Sequence, residues 1–275
     1  MQATELEILE VISGFCTQHD IRWFLDSGTM LGAARHEGFI PWDDDIDIGM
    51  LREDYDRFID LASTSLPRGY SLHTFANTPG FAGMFAKVYK DGTAFHTAET
   101  IEAGCDQGIF VDVFPYDVLS TDEKTRNQQL ANAKKWQSIS YLFHSGSITV
   151  PHKGLLGALE RTGCRVAHNL IRRAVKSEDI PRRYARSILR DEVPSPDSEV
   201  VTFPWPNVRG LTRRMLTPSD TMAFEGVEFP VPQEWERYLE IMYGDWRTLP
   251  KEEDRRTHLP LYINFGNGRV FDARS

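Results

Sequence analysis

Apolar positions first repeat at helical spacing near the start of the chain, where Leu6, Leu9, Ile12, Phe15 and Cys16 share one face. Thr4 followed by Glu7 reads as a capping box opening this helix. Ile21 to Leu25 reads as a strand, Asp26 to Thr29 as a turn, and Met30 to Arg35 as one or two helical turns. Ile46 to Met50 alternates as a second strand, and Tyr55, Phe58, Ile59 and Ala62 mark a helix over 51–64. Strands follow near 70–76 and 84–90, with Asp91-Gly92 closing a hairpin. Ile109 to Phe114 alternates strictly, with Ile109, Val111 and Val113 on one face and Phe110, Asp112 and Phe114 on the other. Ser120 with Glu123 opens a capped helix reaching about Phe143.

The stretch Gly146–Pro151 is the predicted boundary between two regions, 1–145 and 146–275. Beyond it, Leu155, Leu156, Leu159, Val166, Leu170, Ile171 and Ala174 predict a long amphipathic helix. Proline-rich loops come after about Pro194, then a hairpin around Phe224–Pro230 and a helix from Gln233 to Met242. Mixed strands and helices come first and mainly helices later, without internal repeats. That order predicts an α+β fold whose C-terminal half is mainly helical and packs on the first.

Composition narrows the function classes. No stretch of the 275 residues approaches the roughly 20 uncharged apolar residues of a membrane span. The acidic start MQATELEILE does not read as a secretory signal. Cys16, Cys105 and Cys164 lie too far apart for a disulfide framework or zinc spacing, so a reducing cytoplasm is expected. The net charge of −9 argues against a nucleic-acid partner. The charge is unevenly spread. Residues 43–60 hold eight acids against Arg52 and Arg57, whereas 151–190 hold ten Lys/Arg against Glu160, Glu178 and Asp179.

The strongest chemical signal is Gly28-Thr29, followed after fifteen intervening residues by Asp45-Ile46-Asp47-Ile48. On a strand, residues i and i+2 share a face about 6.5–7 Å apart, so both carboxylates would converge. Like charges at that distance need a cation, and Mg²⁺ (or Mn²⁺) suits a hard oxygen set. Gly28 and Thr29 precede a short helix, whose first N–H groups suit a phosphate. The pair of signals predicts a site for a metal-bound nucleotide phosphate. A solvated acidic turn is the plain alternative, but Ile46 and Ile48 argue for a partly buried strand. Asp43, Asp45, Asp47 and Asp54 also match EF-hand positions 1, 3, 5 and 12. Ile48 stands where that loop needs Gly, which excludes it. A glycosyltransferase Asp-x-Asp leaves Gly28-Thr29 unexplained.

Asp112, mid-strand between aromatic residues, reads as a third ligand or general base on a strand paired beside Asp45–Asp47, or as a structural acid bonded to a backbone amide. Lys87 reads either as a neutraliser of phosphate oxygens or as a snorkelling surface lysine. Arg35 and His36 end the helix that follows Gly28-Thr29 and reach for phosphate, or Arg35 complements the helix dipole. Arg161, Arg165, His168 and Arg172 form a basic stripe beside Leu159, Val166, Leu170 and Ala174. It reads as a solvated face over a packed core, or as a recruiter of an anionic lipid-linked acceptor or membrane surface.

Three stretches, FLDSGTMLGAARHEGFIPWDDDIDIGM, IFVDVFPYD at 109–117 and FEGVEFPVPQEWERYLEIMYGDWRTLPKEEDRRTH at 224–258, resemble the LicD family, which includes the fukutin-type transferases. The resemblance implies a nucleotidyltransferase fold, a small mixed sheet flanked by helices, with 1–145 as its catalytic core and 146–275 on the acceptor side. It implies that Asp45, Asp47 and Asp112 are catalytic and bind metal, and that Gly28 and Thr29 hold donor phosphates. Asp43 and Asp44 belong to the family's Trp-Asp-Asp-Asp run. Tyr243-Gly244-Asp245 and His258 carry the match in the third stretch, where Trp246 replaces the Tyr or Phe of many members. The implied reaction moves phosphocholine or a polyol phosphate from a CDP-linked donor (CDP-choline among them) to a glycan hydroxyl, releasing CMP, as in lipopolysaccharide or teichoic acid modification. The acceptor includes lipid-linked glycans, so peripheral contact with the inner membrane face belongs to this expectation. Two rivals remain open at this point: attack on the α-phosphorus of a nucleoside triphosphate, and a non-catalytic, metal-stabilised glycan-binding module.

Overall fold

The computed structural model describes residues 1–146, 154–189, 193–251, 255 and 260–273. In chain order its first half contains α1 (Gln2–Gln18), β1 (Phe24–Leu25), α2 (Ser27–His36), β2 (Asp47–Leu51), α3 (Arg52–Ser65), β3 (Tyr70–His73), β4 (Ala86–Lys90), β5 (Ala94–His96), α4 (Ala98–Ala103), β6 (Phe110–Val118) and α5 (Glu123–His144). The second half contains α6 (Gly154–Ala174), α7 (Asp179–Ile188), β7 (Glu199–Val201), β8 (Leu211–Thr212), α8 (Arg213–Leu216), β9 (Pro218–Phe224), β10 (Val227–Pro232), α9 (Trp235–Tyr243), β11 (Tyr262–Asn264) and β12 (Val270–Asp272). The result is the expected α+β arrangement, a curled mixed sheet flanked by helices.

The main sheet runs β1-β2-β6-β4-β3. Only β2 and β6 are parallel along this path; the other neighbours are antiparallel. β6 is the central and longest strand. Both of its faces are buried, which is why large residues stand at alternate positions on each side. Helices α1 and α3 pack against it, with Ile8, Leu9, Ile12, Phe15, Phe58, Val111 and Val113 in one core. Gly49 on β2 is a close-approach position, because a Cβ there would lie 2.4 Å from the Phe24 ring. The second half joins the same sheet: β7 pairs with the end of β6, and β8 pairs with β7. The β9–β10 hairpin packs on β1 and α2.

Several local expectations are corrected. α1 starts at Gln2 with Met1 as its cap and no side-chain capping bond, so Thr4 and Glu7 form no capping box. Glu7 instead accepts from the Tyr70 hydroxyl and from Lys90. The turn at 26–29 is already the first turn of α2, because Asp26 caps it. Asp91-Gly92 is a turn, with Gly92 at φ 76°, but the strand after it pairs with β11 rather than β4. α5 is capped by Asp122, which accepts from the Thr125 N–H, rather than by Ser120. Of the predicted boundary Gly146–Pro151, residues 147–151 lie outside the described ones.

The largest correction concerns α6. Leu159, Val166 and Leu170 were expected over a packed core, yet they are 70%, 55% and 59% exposed. The helix rests on α5 through its other side, where Gly157 is buried and Cys164, His168 and Ile171 are half-buried. His168 therefore leaves the basic stripe, and its Nδ1 lies 2.8 Å from the Leu142 carbonyl oxygen. The Leu155 side chain lies outside the described ones.

Candidate active site

The parallel register of β2 and β6 sets Asp47 opposite Asp112. The antiparallel register of β6 and β4 sets Lys87 opposite Asp112 on the other side. Asp47, Asp112 and Lys87 therefore stand abreast on three neighbouring strands. Lys87 is 8% exposed, with Nζ 2.6 Å from Asp112 Oδ1 and 3.2 Å from the centre of the Phe110 ring. A snorkelling surface lysine is thereby excluded. Asp112 is held by this ion pair with Lys87.

Asp45 does not share the strand with Asp47. It stands half-buried in the loop just before β2. The backbone is held there by the Asp112 N–H, which donates to the Ile46 carbonyl at 2.9 Å. Asp43, Asp44 and Asp45 each bring a carboxylate oxygen within 4.8 Å of the others; among the described residues Asp45, Asp47 and Asp112 do not form such a group. Burial raises the Asp43 carboxyl to about 7, reinforced by Asp45. Burial also raises Asp47, and Asp45 and Asp112 add to the effect. Asp112 is pushed up to about 6 by burial, against the pull of Lys87. Acids crowded and desolvated to this degree suit a hard divalent cation, so the residues present fit Mg²⁺ or Mn²⁺.

A second set of contacts fixes the start of α2 against these acids. Asp26 accepts from the Ser27 N–H at 2.8 Å. The Tyr116 hydroxyl donates to both Asp26 oxygens at 2.8 and 3.0 Å, and the Tyr238 hydroxyl also donates to Asp26. Ser27 stands in the left-handed region at φ 46°, a strained place for a residue with a Cβ. Its N–H also lies 2.9 Å from the Tyr238 oxygen. The network reaches Asp47 twice: the Asp26 N–H donates to the Asp47 carbonyl at 3.0 Å, and the Asp47 N–H donates to the Thr29 hydroxyl at 2.8 Å.

Thr29 is thus buried and aligns Asp47. A Cβ at Gly28 would meet Asp43 Oδ2 at 2.7 Å, so glycine here lets the Asp43 carboxyl sit against the helix start. An anionic oxygen already rests beside this helix start, the place expected for a donor phosphate. Arg35 and His36 sit at the other end of α2. Arg35 donates to His36 Nε2 and to the Trp246 carbonyl, and the His36 ring lies edge-on to Trp42. Their observed contacts are not with the carboxylates. Arg255 lies over the Trp42 ring at 4.3 Å, while His258 lies outside the described residues.

The acids open into a cavity of about 530 Å³. Phe81, Phe85, Phe95, Phe110, Tyr141 and Trp205 form much of its wall; Asp44, Asp45, Lys87, Glu99 and Asp112 supply charge. Sequence reasoning missed this wall, Asp26, Tyr116, Tyr238 and Glu5. Glu5 is 1% exposed, and its carboxyl is raised well above the ordinary range by burial and then by Asp45. Its signal was present: it continues the Ile8, Leu9 and Ile12 face of α1. Tyr238 comes from 212 residues beyond Asp26, and no local pattern could announce that meeting.

A mixed sheet with acids abreast on two parallel strands, and a capped helix start tied to one of them, defines an enzyme of the nucleotidyltransferase-fold class. Residues 20–155 match the sequence model of the family described as LicD/FKTN/FKRP, nucleotidyltransferase domain. The chain carries the LicD family domain over those residues and is a LicD-type phosphotransferase. It is 28% identical over 260 residues, 92% of each chain, to the lipopolysaccharide cholinephosphotransferase LicD of Haemophilus influenzae. Over 48 residues, 18% of this chain and 10% of the relative, it is 42% identical to the human and mouse ribitol 5-phosphate transferase FKRP.

Proposed function

We propose that this protein transfers phosphocholine from CDP-choline to a hydroxyl of a glycan acceptor, releasing CMP, in the cytoplasm. The observation that carries the reading is the row Asp47, Asp112 and Lys87, of which Asp112 and Lys87, with Asp44 and Asp45, line an aromatic-walled cavity. Aromatic faces attract a quaternary ammonium, whereas a polyol would leave its hydroxyls unmet against them. The whole-length similarity to a cholinephosphotransferase supports the same choice.

Asp45, Asp47 and Asp112 are the residues that would hold Mg²⁺ or Mn²⁺. Bound there, the metal supplies charge neutralisation for the donor diphosphate and the departing CMP. Gly28, at the start of α2 where the donor phosphates would approach, makes room for the Asp43 carboxyl, and the Thr29 hydroxyl keeps Asp47 in line by accepting the Asp47 N–H. Lys87 holds Asp112 in its carboxylate form and adds positive charge beside the phosphates. Asp112 takes the proton of the acceptor hydroxyl, whose oxygen forms a new bond to the distal phosphorus as the bond to CMP breaks. Catalysis is then mostly positioning and electrostatics. Arg35 and His36 act in this reading at the rim, beside Trp42 and Trp246.

The test is product analysis. Enzyme with Mg²⁺ and a glycan acceptor is given CDP-choline, CDP-ethanolamine, CDP-glycerol or CDP-ribitol in parallel. CMP release is expected, fastest from CDP-choline. A faster polyol donor would move the reading to polyol phosphate, and pyrophosphate release from CTP would replace it with nucleotidyl transfer.

A further inference from the structure

A second cavity, of about 510 Å³, adjoins the one that holds Asp112. Asp56, Ile59 and Asp60 of α3, Phe75 after β3 and Tyr184 of α7 stand in its wall. Gly83 and Phe85 line both cavities. The Phe85 ring centre is 5.4 Å from Lys87 Nζ, so the shared wall touches the row that contains Asp112. Phe75 of the second cavity meets the His144 ring of the first at 5.4 Å, edge to face. Buried Ser140 donates to the Ala82 carbonyl at 2.7 Å and pins the dividing segment to α5.

Tyr184 is 6% exposed, and its enclosed hydroxyl has no hydrogen-bond partner among the described residues. A buried donor left in that state costs stability, so its retention asks for a reason. Arg52 is the only Lys or Arg among the described lining residues. It is already bonded twice to Asp117 and once to Asp56. The cavity therefore offers carboxylate acceptors, one hydroxyl and an aromatic ring, with no cation to spare. A nucleotide or phosphate would face Asp56 and Asp60 uncompensated. A quaternary ammonium suits carboxylates and rings but offers the Tyr184 hydroxyl nothing to bond. A neutral sugar answers every group. Its hydroxyls donate to the carboxylates and accept from Tyr184, and its C–H face packs on Phe75.

We propose that the second cavity holds a neutral sugar unit of the glycan acceptor, adjacent to the unit whose hydroxyl reaches Asp112. A glycan with one unit against Phe75 and Tyr184 passes over Phe85 to bring its next unit beside Lys87. That placement of the acceptor rests on the proposed transfer; sugar binding in the cavity does not.

The experiment is saturation-transfer NMR and calorimetry on the full chain without donor or metal. The probes are the methyl β-glycosides of glucose, galactose, N-acetylglucosamine and lactose. At least one is expected to bind in the millimolar range. Tyr184→Phe should weaken that sugar about tenfold, the loss of one hydrogen bond. The same variant should melt no lower than the native chain, because it removes an unpartnered hydroxyl. Ala185 also lines the cavity, and Ala185→Trp, with circular dichroism retained, should abolish binding by filling it. The proposal is overturned if none of the four sugars binds, or if both variants bind as the native chain does. It is equally overturned if choline or CDP-choline displaces the sugar, since the sugar would then occupy the donor's cavity. Sugar binding through Tyr184 without CMP release from any CDP-linked donor would overturn the transfer reading and leave this site standing.

Discussion

The strand ends around Asp47 and Asp112 and the outer face of α6 break the same patterning rule in opposite directions. At the first, acids are buried beside an aromatic wall. At the second, leucines stand in solvent while a glycine and a half-buried histidine face the protein. Buried charge is tolerated only with a partner. Here Lys87 answers Asp112, while Asp47 stands among like charges, where the proposed cation would bind. Exposed apolar surface is tolerated more easily, yet a contiguous stripe still marks a contact surface. In the proposed function an ion completes the first region, while the second carries an apolar stripe that the described protein leaves uncovered.

If that contrast is right, altering the acids should destroy function while sparing the fold. Asp47→Ala should remove turnover by more than about a thousandfold and raise or barely change the metal-free melting temperature, because it relieves repulsion. Asp45→Ala should behave alike. Asp112→Asn should keep the fold and lose about 10²–10⁴ in kcat, since the amide cannot take a proton. CMP release and thermal unfolding in EDTA measure both. A crippled but destabilised Asp47→Ala would show the acid to be structural, and the contrast would fail.

Tyr238→Phe probes how the strained start of α2 is kept. It removes one donor to buried Asp26 and the oxygen beside the Ser27 N–H. A stability loss of about 1–3 kcal/mol is expected, with donor KM raised about tenfold and kcat lowered less, because the cradle loosens while the acids remain. Donor titration by calorimetry and urea unfolding check it. An unchanged KM would separate the lock from donor binding.

A third effect is smaller and concerns pH. The folded carboxyls of Asp43, Asp47, Asp112 and Glu5 are all raised by burial. A raised acid binds its proton more tightly in the folded state. Its stabilisation is full below the unfolded carboxyl range near 4 and is lost as pH rises through about 6 to 7. Metal-free protein should therefore melt lower at pH 8 than at pH 5.5. Each released proton contributes at most about 1.4 kcal/mol per pH unit. Calorimetry in EDTA checks the sign, and Asp112→Asn should flatten the slope.

The acids were legible because alternation is a local signal. Asp47 between Ile46 and Ile48, and Asp112 between Val111 and Val113, place charge within buried strands by pattern alone. The abreast placement of Lys87 needed the strand order, which distant pairing decides. Asp45 was misplaced by one step because strand ends depend on ladder partners rather than on apolar period. Tyr238 was illegible, since its meeting with Asp26 depends on how α9 packs against the first half. α6 failed for another reason. Its 3.6-residue pattern was read correctly, but a period reports that one side differs from the other and not which side the protein covers.

The smallest expected effect tests that point directly. Leu159→Gln and Leu170→Gln should each change stability by no more than about 0.5 kcal/mol in lipid-free buffer, the range of ordinary surface changes. Ile12→Ala in α1, whose side chain is fully buried, should cost about 2–5 kcal/mol by losing buried area and leaving a cavity. Urea unfolding of the three variants side by side gives both numbers on one scale. Equal costs would mean that the α6 leucines are covered in the folded protein, and the opposed inversions would collapse into one unusual active site. A near-zero cost means that these leucines contribute nothing to the fold, and that what selects them must lie outside the chain.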